Sequence, residues 1–488
     1  MTSNRPQHGQ DVGLQKNSIG LGTVLMQSIA QIAPAVGILT TIAFNTQQAG
    51  ISAPSAYIFA FIIGLIVAIS LAQLGKHFPS AGGFYTYVSG TVGPSAGFIV
   101  GWMYSWIVAL IPGGLAAYTG FVIQTELAKN YGINIPWQVV SFFILIMVGT
   151  IAYKGIKTSG KILTILSLVE MLILAGLAFS GLLSPGEGGV SFEGFLPTGS
   201  PTPHGFFLAV VLSIFAFTGW EGAAAVAEEA RNPRKVIPQA IIGSLILLGI
   251  FYVFCAWGIQ TGWGIAHTDT LGSSDNPALI VAHRLWGPAW ILVLLALLNS
   301  GIAVCIACTV DATRNWYAMA RSETMPKALN KVHPKHHTPH VAIITQTCLS
   351  LIVCLVFGTL IAPDVVLFML GTLATIIYVF VYIMGNIGII RFFTQVKRNE
   401  LNIITHIVFP IISSIALICV LYYSLWPLPA PPVGYAPIAF AVILFVGLWR
   451  LFKLKRSENR RWEVLSQYVV ENDVSESSQD MTKPLISK

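Results

Sequence analysis

Two carboxylates lie in stretches of the chain that are otherwise apolar. Glu170 stands within Leu166–Ile173, and Glu221 stands between Gly219 and Gly222. Placing a charged side chain in such surroundings costs about 2.5–3.5 kcal/mol, so the side chain normally faces a cavity or a partner. With no cation within one helical turn, Glu170 is suited to carry a proton, or it is a permanently protonated carboxyl bonded to backbone. Glu170 and Glu221 are therefore the candidates for proton coupling.

Further charged residues are spaced as a structural clamp rather than as a reaction centre. Glu228 and Glu229 precede Arg231 and two more basic residues, which predicts a gate or a loop clamp. Asp311 and Arg314 are three residues apart on an apolar helix, so we expect them to pair with each other.

Patterns typical of enzymes and metal sites are weak in this sequence. Four histidines fall within residues 333–340, but two prolines constrain the tract and no carboxylate or cysteine adjoins it, so we expect no metal there. Cys305 and Cys308 have CxxC spacing among small residues, which is typical of helix packing. The sequence contains no phosphate-binding loop, nucleophile–base arrangement or cofactor fingerprint. We expect no enzyme activity and no cofactor.

The composition places these residues in lipid. Hydrophobic residues make up 55% of the 488 residues and charged residues 10%, against roughly 25% charged in an average soluble domain. This number of charged residues is too small to cover the surface of a soluble protein with such an apolar interior. Lipid must therefore be the main solvent. The net charge of +7 does not indicate nucleic acid, because the basic residues are dispersed among loops.

Runs of about 20 apolar residues, each long enough to cross a hydrocarbon core of about 30 Å, divide the chain into about twelve spans. The predicted class is therefore an all-α integral membrane protein. The predicted spans are 20–46, 54–75, 94–124, 135–153, 160–183, 204–228, 238–262, 287–317, 340–361, 364–392, 403–425 and 435–452.

The basic residues also predict the orientation. If the N-terminus is inside, only Lys129, Arg284 and Arg314 of the 27 Lys and Arg residues fall outside the inner segments. This is the asymmetry expected of cytoplasmic loops. We expect a multi-pass protein of the cytoplasmic membrane, with a cytoplasmic tail at residues 1–19 and a polar cytoplasmic tail at residues 457–488.

Two of the predicted spans are interrupted near their middles. The first is broken at Ile32–Gly37, where proline removes a donor and glycine tolerates irregular backbone. The sixth is broken around Phe217–Gly222. Spans five apart run in opposite directions, as two inverted repeats require, and paired broken helices of this kind mark the binding site of many transporters. Packing kinks are the alternative.

Three stretches resemble the amino acid–polyamine–organocation permease superfamily. Pro79–Tyr87 resembles its first cytoplasmic loop, Phe215–Gly222 with Ala227–Pro238 its most characteristic stretch, and Arg314–Arg321 the end of its eighth helix. The resemblance implies a five-plus-five inverted-repeat core at residues 20–395, with discontinuous helices 1 and 6, and two added helices at 403–456. It also implies alternating access and substrate binding by the broken helices.

The substrate-binding residues that we predict lie in the two interruptions, with Phe215 resembling the aromatic gate of the family. They are Ala33, Pro34, Ala35, Val36, Gly37, Phe215, Ala216, Phe217, Gly219 and Glu221.

The chain departs from the family pattern at two places. The usual glycine-rich turn of helix 1 is replaced by Pro34–Gly37, and a proline in this break also occurs in bacterial putrescine importers. Glu170 stands where many members have a lysine. We therefore expect a proton-coupled amino acid transporter, with a polyamine carrier, an exchanger, sodium coupling or a membrane sensor as alternatives. The oligomeric state is left open.

Overall fold

The computed structural model describes residues 13–274 and 276–457, and these are almost entirely helical. Apart from one isolated bridge between Ile19 and Ala230, these residues contain no β-structure. Of the predicted tail 457–488, only Ser457 is among the described residues. Of the predicted tail 1–19, the first twelve residues lie outside them.

The helices are joined by turns and by longer segments that contain short 3-10 turns. In chain order they are α1 Leu21–Ile32, α2 Pro34–Ala49, α3 Ala53–His77, α4 Phe84–Thr91, α5 Pro94–Tyr131, α6 Trp137–Tyr153, α7 Ile156–Leu183, α8 Pro203–Ala216, α9 Gly222–Ala225, α10 Pro233–Trp263, α11 Thr268–Gly272, α12 Pro277–Trp286, α13 Ile291–Arg321, α14 His340–Ile352, α15 Gly358–Leu360, α16 Pro363–Arg391, α17 Phe409–Leu425 and α18 Ala436–Ser457. Single π-helical turns at Val353–Phe357, Phe392–Val396 and Ile404–Val408 join or extend the later helices.

Each apolar segment predicted from the sequence is occupied by helix. Within the described residues, nine helical stretches are long and apolar enough to cross a membrane. One of them, Leu21–His77, contains both the first and the second predicted spans. The fourth and sixth predicted spans are the shorter apolar helices Trp137–Tyr153 and Pro203–Ala216. The protein is thus a multi-pass, all-helical membrane protein.

The broken first helix lies in the middle of the bundle. Helices α1 and α2 pack against α7, α10 and α13, and α2 also packs against α8. Small residues permit the closest approaches between helices. For example, a Cβ added at Gly258 of α10 would collide with the backbone of Ala178 on α7.

Some of the connecting segments contact one another, on two sides of the bundle. Residues 13–20 contact residues 229–231, and Ala81 donates its N–H to Glu228. We call the side that carries these segments the basic face. On the opposite face, Gln260 donates to the carbonyl of Gly50, and Ser52 donates to that of Leu196.

Candidate functional site

The first break is a single residue in a left-handed conformation. Ala33 has φ 64° and ψ 74°, which ends α1, and Pro34 begins α2. This conformation is strained for a residue with a Cβ, while proline is well suited to the first position of a helix because it lacks the N–H that would be unbonded there. The predicted interruption of the first span is therefore confirmed.

The second break is wider. Helix α8 ends at Ala216, and α9 begins at Gly222, with turns between them. Gly219 has φ 116°, which strongly favours glycine. The predicted interruption of the sixth span is also confirmed.

The two breaks touch each other. A Cβ added at Gly219 would lie 2.7 Å from the carbonyl oxygen of Gln31, so the two backbones meet directly. The hydroxyl of Ser28 donates to the carbonyl of Trp220 at 2.8 Å. The structure therefore brings together the two predicted groups of substrate-binding residues, at Ala33–Gly37 and Phe215–Glu221.

Tyr252 on α10 joins the two breaks, and the sequence analysis did not single it out. Its hydroxyl lies 3.4 Å from the carbonyl oxygen of Ala33 and 3.2 Å from that of Ala216. Gly37 leaves room for this hydroxyl, because a Cβ there would overlap it. A phenol inside a long apolar helix was the signal available in the sequence.

Glu170 lies at the first break. Its side chain on α7 is fully buried, and Oε2 accepts the N–H of Ala35 at 3.3 Å. The neighbouring N–H of Val36 donates to the hydroxyl of Ser300 on α13, also at 3.3 Å. Oε1 of Glu170 has no hydrogen-bond partner among the described residues.

Glu221 lies at the second break and faces α16. Its Oε2 accepts the N–H of Gly219 at 3.1 Å and the hydroxyl of Tyr382 at 2.8 Å. The ring of Tyr382 stacks on Trp220, with centroids 5.1 Å apart. Oε1 of Glu221 is buried, and no described residue bonds to it. Tyr382 was missed in the sequence because it comes 161 residues later.

The predicted pair between Asp311 and Arg314 is wrong. Three other groups donate to the carboxylate of Asp311: the amides of Gln31 at 2.8 Å and Asn315 at 2.7 Å, and the hydroxyl of Tyr104 at 2.6 Å. Asp311 is thus held beside the first break. A spacing of three residues permits contact along a helix. Here, however, Asp311 is bonded to these three donors, and Arg314 is bonded to a different carboxylate.

The partner of Arg314 is Glu229. The guanidinium of Arg314 donates to the carboxylate of Glu229 at 2.6 and 3.1 Å, and both side chains are 1% exposed. A second pair joins Glu228 to Arg321, with one contact at 3.0 Å, and is partly exposed. Two-point pairs of this kind are the stronger form of charged hydrogen bond. They join the end of the second broken helix to the end of α13.

Arg231 contacts a different element. Its side chain donates to the carbonyl of Asn17, and its N–H donates to that of Ile19. The N–H groups of Ser18 and Ile19 in turn donate to the carbonyl of Glu229. The segment before α1 is therefore fastened under the buried pair, and the basic residue after Glu229 does not itself pair with that carboxylate.

The two sides of the breaks differ in exposure. Toward the basic face, Gln27, Ser28 and Gln31 are buried. On the other side, Thr40 is exposed and Phe215 is half-buried. In this structure the α1 side chains before the first break are buried, whereas Thr40 and Phe215 on the other side of the breaks are less completely buried.

The histidine tract surrounds an aromatic ring. The rings of His333, His336 and His340 lie within 6.4 Å of the Tyr153 ring, centroid to centroid. Among the described residues, no group of three or more His, Cys, Asp and Glu side chains is arranged to hold a metal ion.

The family follows from comparison with known proteins. The profile of the amino acid permease family matches residues 23–463, which is most of the chain. The chain belongs to this family. It is a family of membrane transporters, not of enzymes, and it lies within the superfamily whose motifs the sequence resembles.

Curated relatives come from several branches of amino acid and amine transport. The branched-chain amino acid permease BcaP of Bacillus subtilis is 27% identical over 67% of this chain and 72% of its own length. The low-affinity putrescine importer PlaP of Escherichia coli is 26% identical over 82% of this chain and 86% of its own. The glutamate/serine transporter AimA of Bacillus subtilis is 28% identical over 78% and 73%.

Proposed function

We propose that this protein is a secondary active transporter that moves an amino acid across the cytoplasmic membrane by alternating access, driven by protons. Twelve crossings would form it: the nine long stretches, with Leu21–His77 counted twice, and the two shorter apolar helices. Both termini would be cytoplasmic, which makes the basic face the cytoplasmic side. The five-plus-five arrangement of residues 20–395 belongs to the same proposal.

The single observation that carries the proposal is the contact between the two breaks. An interrupted helix exposes N–H groups at one half-helix end and carbonyls at the other. The breaks at Ala33 and at 217–221 place such groups together in the core of the bundle. These groups suit the carboxylate and the ammonium of a zwitterion, as in other transporters with discontinuous helices.

Two buried carboxyls support coupling to protons. Glu170 and Glu221 sit at the two breaks, and each has an oxygen without a partner among the described residues. Among the described residues, no Lys or Arg forms an ion pair with Glu170 or Glu221. Ionisable residues inside a membrane commonly form proton pathways.

Alternating access would use the buried pair of Glu229 and Arg314. It would hold the basic face closed while the region opens toward the other side, where Thr40 is exposed and Phe215 is half-buried. Breaking this pair would open the cytoplasmic path.

An amine carrier is the second candidate, favoured by two observations. The putrescine importer PlaP matches over 82% of this chain. In addition, Gln31, Glu170 and Glu221 each have a buried acceptor oxygen to which no described residue donates, and an ammonium group donates to such atoms.

The test is uptake in proteoliposomes under an imposed pH gradient, with labelled L-leucine, L-serine, L-glutamate and putrescine. We expect at least one amino acid to accumulate when the outside is acidic, and not when the gradient is collapsed by an ionophore. Accumulation of putrescine alone would favour the amine carrier. Uptake that ignores the gradient would refute proton coupling.

A further inference from the structure

We propose that the carboxylate of Glu170 occupies the place of the cargo's own carboxylate at the start of α2, so that cargo binding and proton uptake are one event. This inference rests on the proposed function and specifies its coupling step. It also assigns a requirement to the cargo, which must carry a carboxylate in order to be coupled.

The start of α2 has only two amides that need a partner from elsewhere. Pro34 has no N–H, and the preceding Ala33 has no side-chain group that could cap the helix. The N–H of Ala35 points at Glu170 and that of Val36 at Ser300. A helix N-terminus carries about half a positive charge and binds anions. In this structure the chain places a carboxyl group of its own there.

Glu170 has few donors there. Its Oε2 accepts the N–H of Ala35 at 3.3 Å, the hydroxyl of Ser300 on α13 also interacts with the carboxyl, and Oε1 is buried without a partner among the described residues. A carboxylate that is a permanent cap normally accepts several donors. A cargo carboxylate that accepts from both Ala35 and Val36 would therefore compete with it.

No nearby charge would stabilise Glu170 once it is displaced. Helix α7 packs against α1, α2, α6, α10, α12 and α13. Among the described titratable and charged groups on these elements, the one that interacts with Glu170 is Tyr252 of α10. The Tyr252 hydroxyl is already directed at the carbonyls of Ala33 and Ala216.

The exchange conserves the charge at the break. The cargo carboxylate takes over the two N–H groups, and the Glu170 carboxylate leaves and accepts one proton from water to become a neutral acid. The start of α2 thus faces one carboxylate before and after. On the cytoplasmic side the cargo leaves, Glu170 releases its proton there, and its carboxylate returns to Ala35. One proton moves per cargo, so a zwitterionic amino acid carries one net positive charge.

The first experiment uses Glu170→Gln in proteoliposomes, with whichever panel amino acid the wild type accumulates. With the membrane potential clamped and the outside one pH unit more acidic, one proton per cargo allows the wild type about tenfold accumulation. We expect no accumulation by Glu170→Gln, while its exchange of internal for external amino acid continues and no longer depends on pH. Glu193→Gln, the same change at an exposed residue of the opposite face, should accumulate cargo as the wild type does.

The second experiment uses the unaltered protein. In weakly buffered detergent solution with a pH dye, whichever of L-serine and L-leucine the wild type accumulates should remove one proton from solution per protein. Ethanolamine and 3-methylbutylamine, which lack only the carboxylate of these amino acids, should remove none. This measurement does not depend on whether a variant folds.

The outcomes separate the inference from the proposed function. If the wild type does not concentrate any amino acid, the proposed function fails. If the wild type concentrates one and Glu170→Gln does so equally, the function stands and the inference is overturned. Loss of exchange in a folded Glu170→Gln would make Glu170 a structural cap and also overturn it, as would binding of amino acid without proton uptake.

Discussion

The buried pair between Glu229 and Arg314 allows a quantitative test of closure at the basic face. Both side chains are 1% exposed, and the guanidinium makes two hydrogen bonds to the carboxylate. Removing one partner of a buried pair costs about 3–5 kcal/mol, because the other charge is left buried and unpaired. If only the closed state contains this pair, Arg314→Met shifts the equilibrium toward the open state by roughly 10²-fold or more, at about 1.4 kcal/mol per factor of ten.

The chain carries its own reporter for this opening. Cys308 is buried on α13, three residues before Asp311, whose carboxylate contacts the first break. The exposed Cys348 and Cys419 are first changed to serine. The rate at which a membrane-impermeant thiol reagent modifies Cys308 is then measured by peptide mass spectrometry.

We expect Arg314→Met to speed modification of Cys308 at least tenfold. The matched control is Lys327→Met, which breaks an exposed pair with Glu323, because such pairs contribute only about 0.2–1 kcal/mol. Arg314→Met combined with Glu229→Leu leaves no orphaned charge and should slow the modification again. If Arg314→Met and Lys327→Met give equal rates, the pair does not hold the basic face closed.

Two further predictions concern the breaks themselves. Gly37→Ala should displace the Tyr252 hydroxyl and weaken transport. In a double-mutant cycle, Gly37→Ala combined with Tyr252→Phe should lower the transport rate and the melting temperature by less than the sum of the two single changes. If the effects of the two single changes simply add in the double variant, the two residues act independently. Ala33→Gly should stabilise the protein by about 1 kcal/mol, because Ala33 is left-handed, whereas Ala33→Val should destabilise it; a melting temperature that falls with glycine would contradict this account.

The class of fold and the positions of the breaks follow from local properties of the chain. Apolar runs about 20 residues long require helices in lipid, since no water is present to satisfy the backbone. Proline at residue 34 and glycines at 219 and 222 interrupt those helices wherever the helices pack. The buried carboxyls Glu170 and Glu221 could be recognised in the same way.

The partners of these residues depended on the packing of distant helices. Glu170 contacts Ala35, which is 135 residues away in the sequence. Arg314 pairs with Glu229, 85 residues away, and not with its neighbour Asp311. Periodicity along one helix reports which side chains share a face, but not which face of another helix lies opposite. The bridging role of Tyr252 therefore depends on the packing of α10 against both breaks. A single apolar helix offers many positions for a phenol, and only the tertiary contacts determine which position reaches the breaks.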